Sequence, residues 1–192
     1  MTIPPADFNK RNPIIAEYSG ELYRSFSLSR GTGSASVLYF GKSGTERWDA
    51  PDHFYGVCYL GKSSDGCFLE TFGQTTPRAI SQNQLGSKGL ATVQADDLQL
   101  LDITGPGAYR IGATGAVWAG DRAISRLWSK AIHGHPNKVD GILYSGNHDP
   151  SELNIAVFDR AVKKLKLSGY ERWSSLADLA RILDKYDVAL LQ

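Results

Sequence analysis

Twenty glycines and eight prolines punctuate this 192-residue chain, so its apolar residues fall mostly in short runs separated by turns. Short β-rich runs in place of long helices predict an α+β fold. Residues 37–40 and 56–60 read as strands, because β-branched and aromatic residues cluster there between glycine-containing turns. Residues 67–72 read as a strand end or a first helical turn. Thr76-Pro77 predicts an N-cap followed by proline at the first helical position, with a short helix running to about Leu85 and ended by Gly86 and Gly89. Between residues 90 and 103 the apolar positions predict strands joined by a polar turn at Asp96-Asp97.

The strongest helical signal follows. Ala123, Ile124, Leu127, Trp128, Ala131 and Ile132 recur on one stripe, and Gly134 with Pro136 stops it. Residues 142–144 and 155–158 predict two more strands around a turn-rich stretch. A second helix is predicted from Ser175, where Ser175 and Asp178 resemble a capping box ahead of Leu176, Leu179, Ala180 and Leu183. With no internal repeat or linker, the length predicts a single domain over 1–192.

Composition narrows the partners. A net charge of +1 gives no bulk attraction to nucleic acid, so none is expected as a direct partner. The cluster Lys163, Lys164 and Lys166 reads as a solvated face. Two cysteines make neither a disulfide scaffold nor a zinc site, His133 and His135 read as a solvent-facing pair flanking a helix stop, and no metal is expected. No segment approaches the roughly 18 apolar residues that span a bilayer, and no secretory leader is evident, which makes the expected location cytoplasmic. Gly31-Thr32-Gly33 lacks the remaining glycine of a dinucleotide fingerprint and reads as a turn.

Four residues between positions 22 and 70 are more informative together than singly. Arg24 sits in LYRSF, Arg47 in RWDAP, Tyr59 in VCYLGKSS, and Glu70 closes DGCFLE. Alone, each has an ordinary structural use. In this order, with eleven positions from Tyr59 to Glu70, this part of the chain resembles the RES domain, a family named for arginine, glutamate and serine. The segment GILYSGNHDPSELNIAVFD is similar to the family's third element and supplies Ser145, although Tyr144 stands where the commoner pattern has proline.

The resemblance implies a compact mixed-sheet core over residues 22–159, similar to ADP-ribosyltransferases, with peripheral helices and a C-terminal extension over 160–192 that carries a helix. It implies an NAD-consuming toxin of a bacterial toxin–antitoxin pair that cleaves the nicotinamide–ribose bond, with NAD+ as substrate and no true cofactor. A helix-turn-helix antitoxin is the implied partner, and a protein acceptor is one of three outcomes left open beside water and phosphate. Under this resemblance Glu70 faces the oxocarbenium-like centre. Arg24 and Arg47 bind the pyrophosphate or adjoining ribose through their guanidinium forks. Tyr59 stacks on nicotinamide, with Tyr55 as the fallback, and Ser145 orients the scissile bond. A serine hydrolase is disfavoured, since no GxSxG elbow surrounds Ser145. The alternative is a non-catalytic binding module for a phosphate-bearing ligand or an acidic partner, which could not deplete NAD.

Overall fold

The computed structural model describes residues 3–73 and 78–191. The chain begins with β1 (Ile15–Ser27), a one-turn helix α1 (Ser34–Val37), β2 (Val57–Gly61) and α2 (Ser64–Phe72). Then come β3 (Ala79–Ser81), α3 (Gln82–Gly86), the long β4 (Lys88–Asp102), α4 (Gly105–Ile111), α5 (Ala116–Ala119) and α6 (Arg122–His133). The order closes with β5 (Gly141–Ser145), β6 (Leu153–Phe158), β7 (Leu165–Arg172), α7 (Leu179–Lys185) and β8 (Ala189–Leu191).

Six strands form one mixed sheet in the order β1-β2-β6-β5-β4-β7, in which only β4 and β5 run parallel. Because β1 also pairs along most of its length with β4, five of the strands close into a ring. The closure is loose on one side, where β1 meets β2 through the single pair Tyr23↔Gly61. Side chains alternate across each strand. Leu22, Leu60, Val93, Leu98, Leu143 and Val157 therefore meet inside the ring, while Val57, Ile142, Tyr144, Ala156 and Phe158 pack outward with Trp128 and Ile132 of α6. A third cluster joins Phe68 of α2 to Ile80, Leu85, Trp173 and Ile182.

Local readings give way to packing in several places. Residues 37–40 are not a strand: Val37 ends α1, and Val37 and Leu38 plug the ring interior. Residues 67–72 are helical, within α2. Thr76-Pro77 lies outside the described residues; the helix that follows starts at Gln82, where Ser81 and Gln84 make a reciprocal capping box. Asp96-Asp97 is no turn between strands but an irregularity inside one continuous strand, with Asp97 at a φ of 49°. There β4 exchanges one neighbour, β7, for another, β5.

In α6 the buried face is Ser125, Trp128, Ser129 and Ile132, whereas Leu127 is exposed. Asp121 caps the helix by accepting the Ala123 N–H at 2.8 Å. His135 is buried, edge-on to Phe8 at 5.2 Å, and His133 stacks on Tyr55 at 3.8 Å, so the two do not form a solvent-facing pair. The last helix starts at Leu179, not Ser175: residues 173–175 form a separate 3-10 turn, and Asp178 at the N-cap position bonds Arg181 at 2.7 Å instead of the backbone. Among the described residues no helix is long and apolar enough to cross a membrane, and no cluster of metal-ligating side chains occurs.

Candidate active site

Where β1 and β2 part beyond Tyr23↔Gly61, a cleft of about 470 Å³ opens, lined on this side by Ser25 of β1, Gly61 of β2 and Cys67 and Glu70 of α2. Gly61 makes the sharp exit from β2 possible. A Cβ there would sit 2.8 Å from Cys67 Sγ and 3.1 Å from Ser63 O, so any side chain would push α2 off the strand. Ser63 caps α2 by accepting the Gly66 N–H at 2.9 Å. The helix then carries Glu70 to the cleft.

The Glu70 carboxylate is oriented from a second direction. Its Oε1 accepts the Asn147 N–H at 3.2 Å and Asn154 Nδ2 at 3.3 Å. Asn154 is 3% exposed and lies on β6 between Gly61 of β2 and Tyr144 of β5.

Arg47 comes from the long loop between α1 and β2. Its Nη1 donates to Gly120 O at 2.9 Å and Ser125 Oγ at 3.1 Å, which anchors the guanidinium against α6. Burial and the neighbouring Arg122 push its pKa below the ordinary arginine value, while Tyr144, Glu70 and Tyr59 favour the charge. Arg122 lines the same wall, paired at 3.1 Å with Glu46 in a bond exposed enough to be exchanged for a ligand anion. Tyr59, Tyr144 and Trp118 add aromatic rings to the lining.

Of the residues read from sequence, Arg47, Tyr59 and Glu70 meet in this cleft. The Tyr59 ring lines it, but the hydroxyl is turned into the Arg47 loop, accepting from Trp48 N and donating to Asp49 Oδ1, each at 2.9 Å. Burial and the Asp49 charge raise the Tyr59 pKa well above its usual value.

Arg24, Tyr55 and Ser145 stand elsewhere. Arg24 points to the opposite face of β1, where it donates to Cys58 Sγ at 2.7 Å, Tyr39 O at 3.1 Å and Tyr59 O at 3.3 Å. Tyr55 is buried against α6, its hydroxyl 2.7 Å from Ser129 Oγ. Ser145 follows Tyr144 on β5, and since Tyr144 takes the cleft face, alternation turns Ser145 away.

Comparison with known proteins places this cleft in a family: residues 21–175 match the model of the RES domain. The chain belongs to the RES domain family. A probable toxin y4kH of Sinorhizobium fredii (strain NBRC 101917 / NGR234) is 29% identical over 128 residues, covering 58% of this chain and all of that protein. The crystal structure of the M. tuberculosis MbcT-MbcA toxin-antitoxin complex contains a chain with the same fold, with a TM-score of 0.62 at 20% identity, over 88% of this chain and 90% of that one.

The RES match runs from β1 through β7, so the whole cleft lies inside it and α7 lies beyond it. Within the RES segment, sequence reasoning passed over Asp49, Trp118, Arg122, Asn147 and Asn154. Asn147 and Asn154 sit in the same stretch that supplied Ser145, and their short polar side chains next to strand ends were the available signal. Arg122 carried none, since an arginine after a helix cap reads as surface.

Proposed function

We propose that this RES protein is a toxin-like enzyme that binds NAD+ in the cleft and cleaves its nicotinamide–ribose bond. The observation that carries the reading is the arrangement of one oriented carboxylate, Glu70, and two guanidinium groups, Arg47 and Arg122, around an aromatic-lined cleft. Two guanidiniums on one wall raise each other's electrostatic cost, and a pyrophosphate bearing two negative charges relieves it. In that pose the ribose lies towards Glu70. As the glycosidic C–N bond breaks, nicotinamide leaves neutral with the bonding electron pair, and positive charge develops on the ribosyl carbon. The Glu70 carboxylate, held by Asn147 and Asn154, stabilises that charge without reorganising. An acceptor lone pair then closes the ribosyl centre and the acceptor's proton passes to solvent, giving glycohydrolase, phosphorylase or transferase products for water, phosphate or a protein side chain.

The kinship with a probable toxin and with a chain of a toxin–antitoxin complex supports the biological role. An antitoxin protein, of the helix-turn-helix type that the family resemblance implies, is the proposed partner, acting where cytoplasmic NAD+ is available. The test is direct. Purified protein is given NAD+ with water alone, with phosphate and with lysate, and nicotinamide and the ribosyl product are followed by mass spectrometry. Nicotinamide release is expected in at least one condition; a folded protein that releases none in any of them overturns the enzyme reading.

A further inference from the structure

Two segments hold Glu70 in place, and a single ammonium group from the C-terminal helix touches both. Lys185 Nζ lies 2.8 Å from Asp65 Oδ2 in the first turn of α2, and 3.2 Å from Glu152 Oε1 at the end of the 146–152 loop. The two carboxylate side chains are 9% and 14% exposed, while Lys185 is 41% exposed and reaches in from solvent. Lys185 is thus the cation that lies between these two largely buried carboxylates and bonds to both. Arg181, one turn earlier, fixes Asp65 through both oxygens at 2.6 and 3.0 Å. Ser63, the cap of α2, donates its hydroxyl to the second oxygen of Glu152.

The same two segments deliver the carboxylate to the cleft. Helix α2 carries Glu70, and the 146–152 loop presents the Asn147 N–H to Glu70 Oε1. The loop is closed at its base by a 2.7 Å bond from Gly146 N to Glu152 O, so a shift of Glu152 moves the Asn147 end with it.

We propose that Lys185 is a positioning residue: by tying Asp65 on α2 to Glu152 on the 146–152 loop, it fixes the Glu70 carboxylate against the cleft. Helix α7, which lies beyond the RES match, thereby completes the site. The inference rests on the reading of Glu70 as the catalytic carboxylate. An oriented group loses much of its effect when displaced by about 1 Å, which is why a tie outside the cleft reaches the chemistry.

Lys185→Met keeps most of the side-chain stem and removes the charge. Asp65 retains Arg181, and Glu152 retains Ser63 and the Tyr186 hydroxyl at 3.3 Å, so the fold is expected to survive. Hydrogen exchange at the Asn147 amide reads the tie without reference to any reaction, and single-turnover nicotinamide release beside NAD+ titration reads its effect on Glu70. The expected result is Asn147 exchange about tenfold faster, release about tenfold slower and an NAD+ Kd within about twofold of the parent. Lys185→Arg should restore both rates. Unchanged exchange overturns the proposal, and so does faster exchange with parental release. If the parent itself releases no nicotinamide, the proposed function falls while the exchange comparison still decides the tie. Should Lys185→Met fail to fold, Glu152→Gln removes the other charge, keeps an oxygen for Ser63, and is judged by the same readouts.

Discussion

Tyr59 donates its hydroxyl proton to Asp49 Oδ1 over 2.9 Å, joining β2 to the loop that carries Arg47. Asp49 is 1% exposed, and its other oxygen accepts the Ser43 hydroxyl at 2.6 Å together with the N–H groups of Thr45 and Glu46. A buried carboxylate persists in a folded chain only when its lone pairs are met. The tyrosine therefore positions Arg47 from below while its ring lines the cleft.

Tyr59→Phe preserves the ring and removes one donor from a buried charge. Unfolding in urea should show a loss of about 1–3 kcal/mol, the usual range for an unsatisfied buried partner. NAD+ affinity should fall about tenfold as the Arg47 loop loosens, although every ring contact remains. A Tyr59→Phe protein with parental stability and affinity would mean that the hydroxyl holds nothing.

The arginines divide by location. Arg47→Lys keeps the charge but loses the fork that bonds Gly120 O and Ser125 Oγ, and its NAD+ Kd should rise by about tenfold or more. Arg122→Ala should weaken binding by a smaller factor, because its guanidinium is half exposed. Arg24→Lys should leave NAD+ affinity within about twofold and lower the melting temperature, since that side chain bridges the Tyr39 and Tyr59 carbonyls. Isothermal titration beside thermal melting separates the three, and loss of affinity at an unchanged melting temperature in the Arg24 variant would return Arg24 to the site.

What the sequence made legible was local. β2, α6, β5 and β6 follow from period and punctuation close in the chain, and the structure has them within a residue or two. Residues 37–40 carried the composition of a strand, but Val37 and Leu38 are needed as a plug for the ring, and that demand comes from strands far away. Asp96-Asp97 looked like a turn because polar pairs usually are; here the pair marks a change of neighbour that only sheet topology defines. The site divides in the same manner. Arg47, Tyr59 and Glu70 were visible as an ordered set, whereas the facing of Arg24 and Ser145 depends on strand alternation, and Arg122 and Asn154 arrive from α6 and β6.

Acid should destabilise the fold in two separate windows. Burial and the Arg160 charge lower the His133 pKa from 6.5 to about 4, against the pull of Asp159 and Asp52. The unfolded chain therefore takes up that proton first, so the His133 contribution is complete above pH 6.5 and is lost as pH falls towards 4. Asp65 is held at about 2, chiefly by its Arg181 bonds and further by Lys185, so its contribution is complete above its ordinary 3.8 and disappears as pH falls towards 2. His133→Phe retains a ring against Tyr55 and should flatten the melting temperature between pH 6.5 and 4 without altering the lower limb. Asp65→Asn should flatten the lower limb. Parallel losses in both windows for either variant would contradict the assignment.

Glu70→Gln separates chemistry from binding. Glutamine keeps the shape and still offers an oxygen to Asn147 N–H and Asn154 Nδ2, so the cleft should remain assembled. What it lacks is the negative charge that meets the ribosyl cation. Removing one preorganised electrostatic group typically costs on the order of 10² to 10³ in rate, and the loss should fall on single-turnover nicotinamide release while NAD+ Kd stays within a fewfold. Asn154→Ala gives the contrast. It leaves the charge but removes a buried donor, so Glu70 is less well held, and release should slow by about tenfold with a measurable drop in melting temperature. A structural Glu70 would give the reverse ordering, with Glu70→Gln nearly parental in release and Asn154→Ala limited to stability. Near-parental release from folded Glu70→Gln would therefore remove the carboxylate from the mechanism, and the cleft would have to be read as a site that binds NAD+ without cutting it.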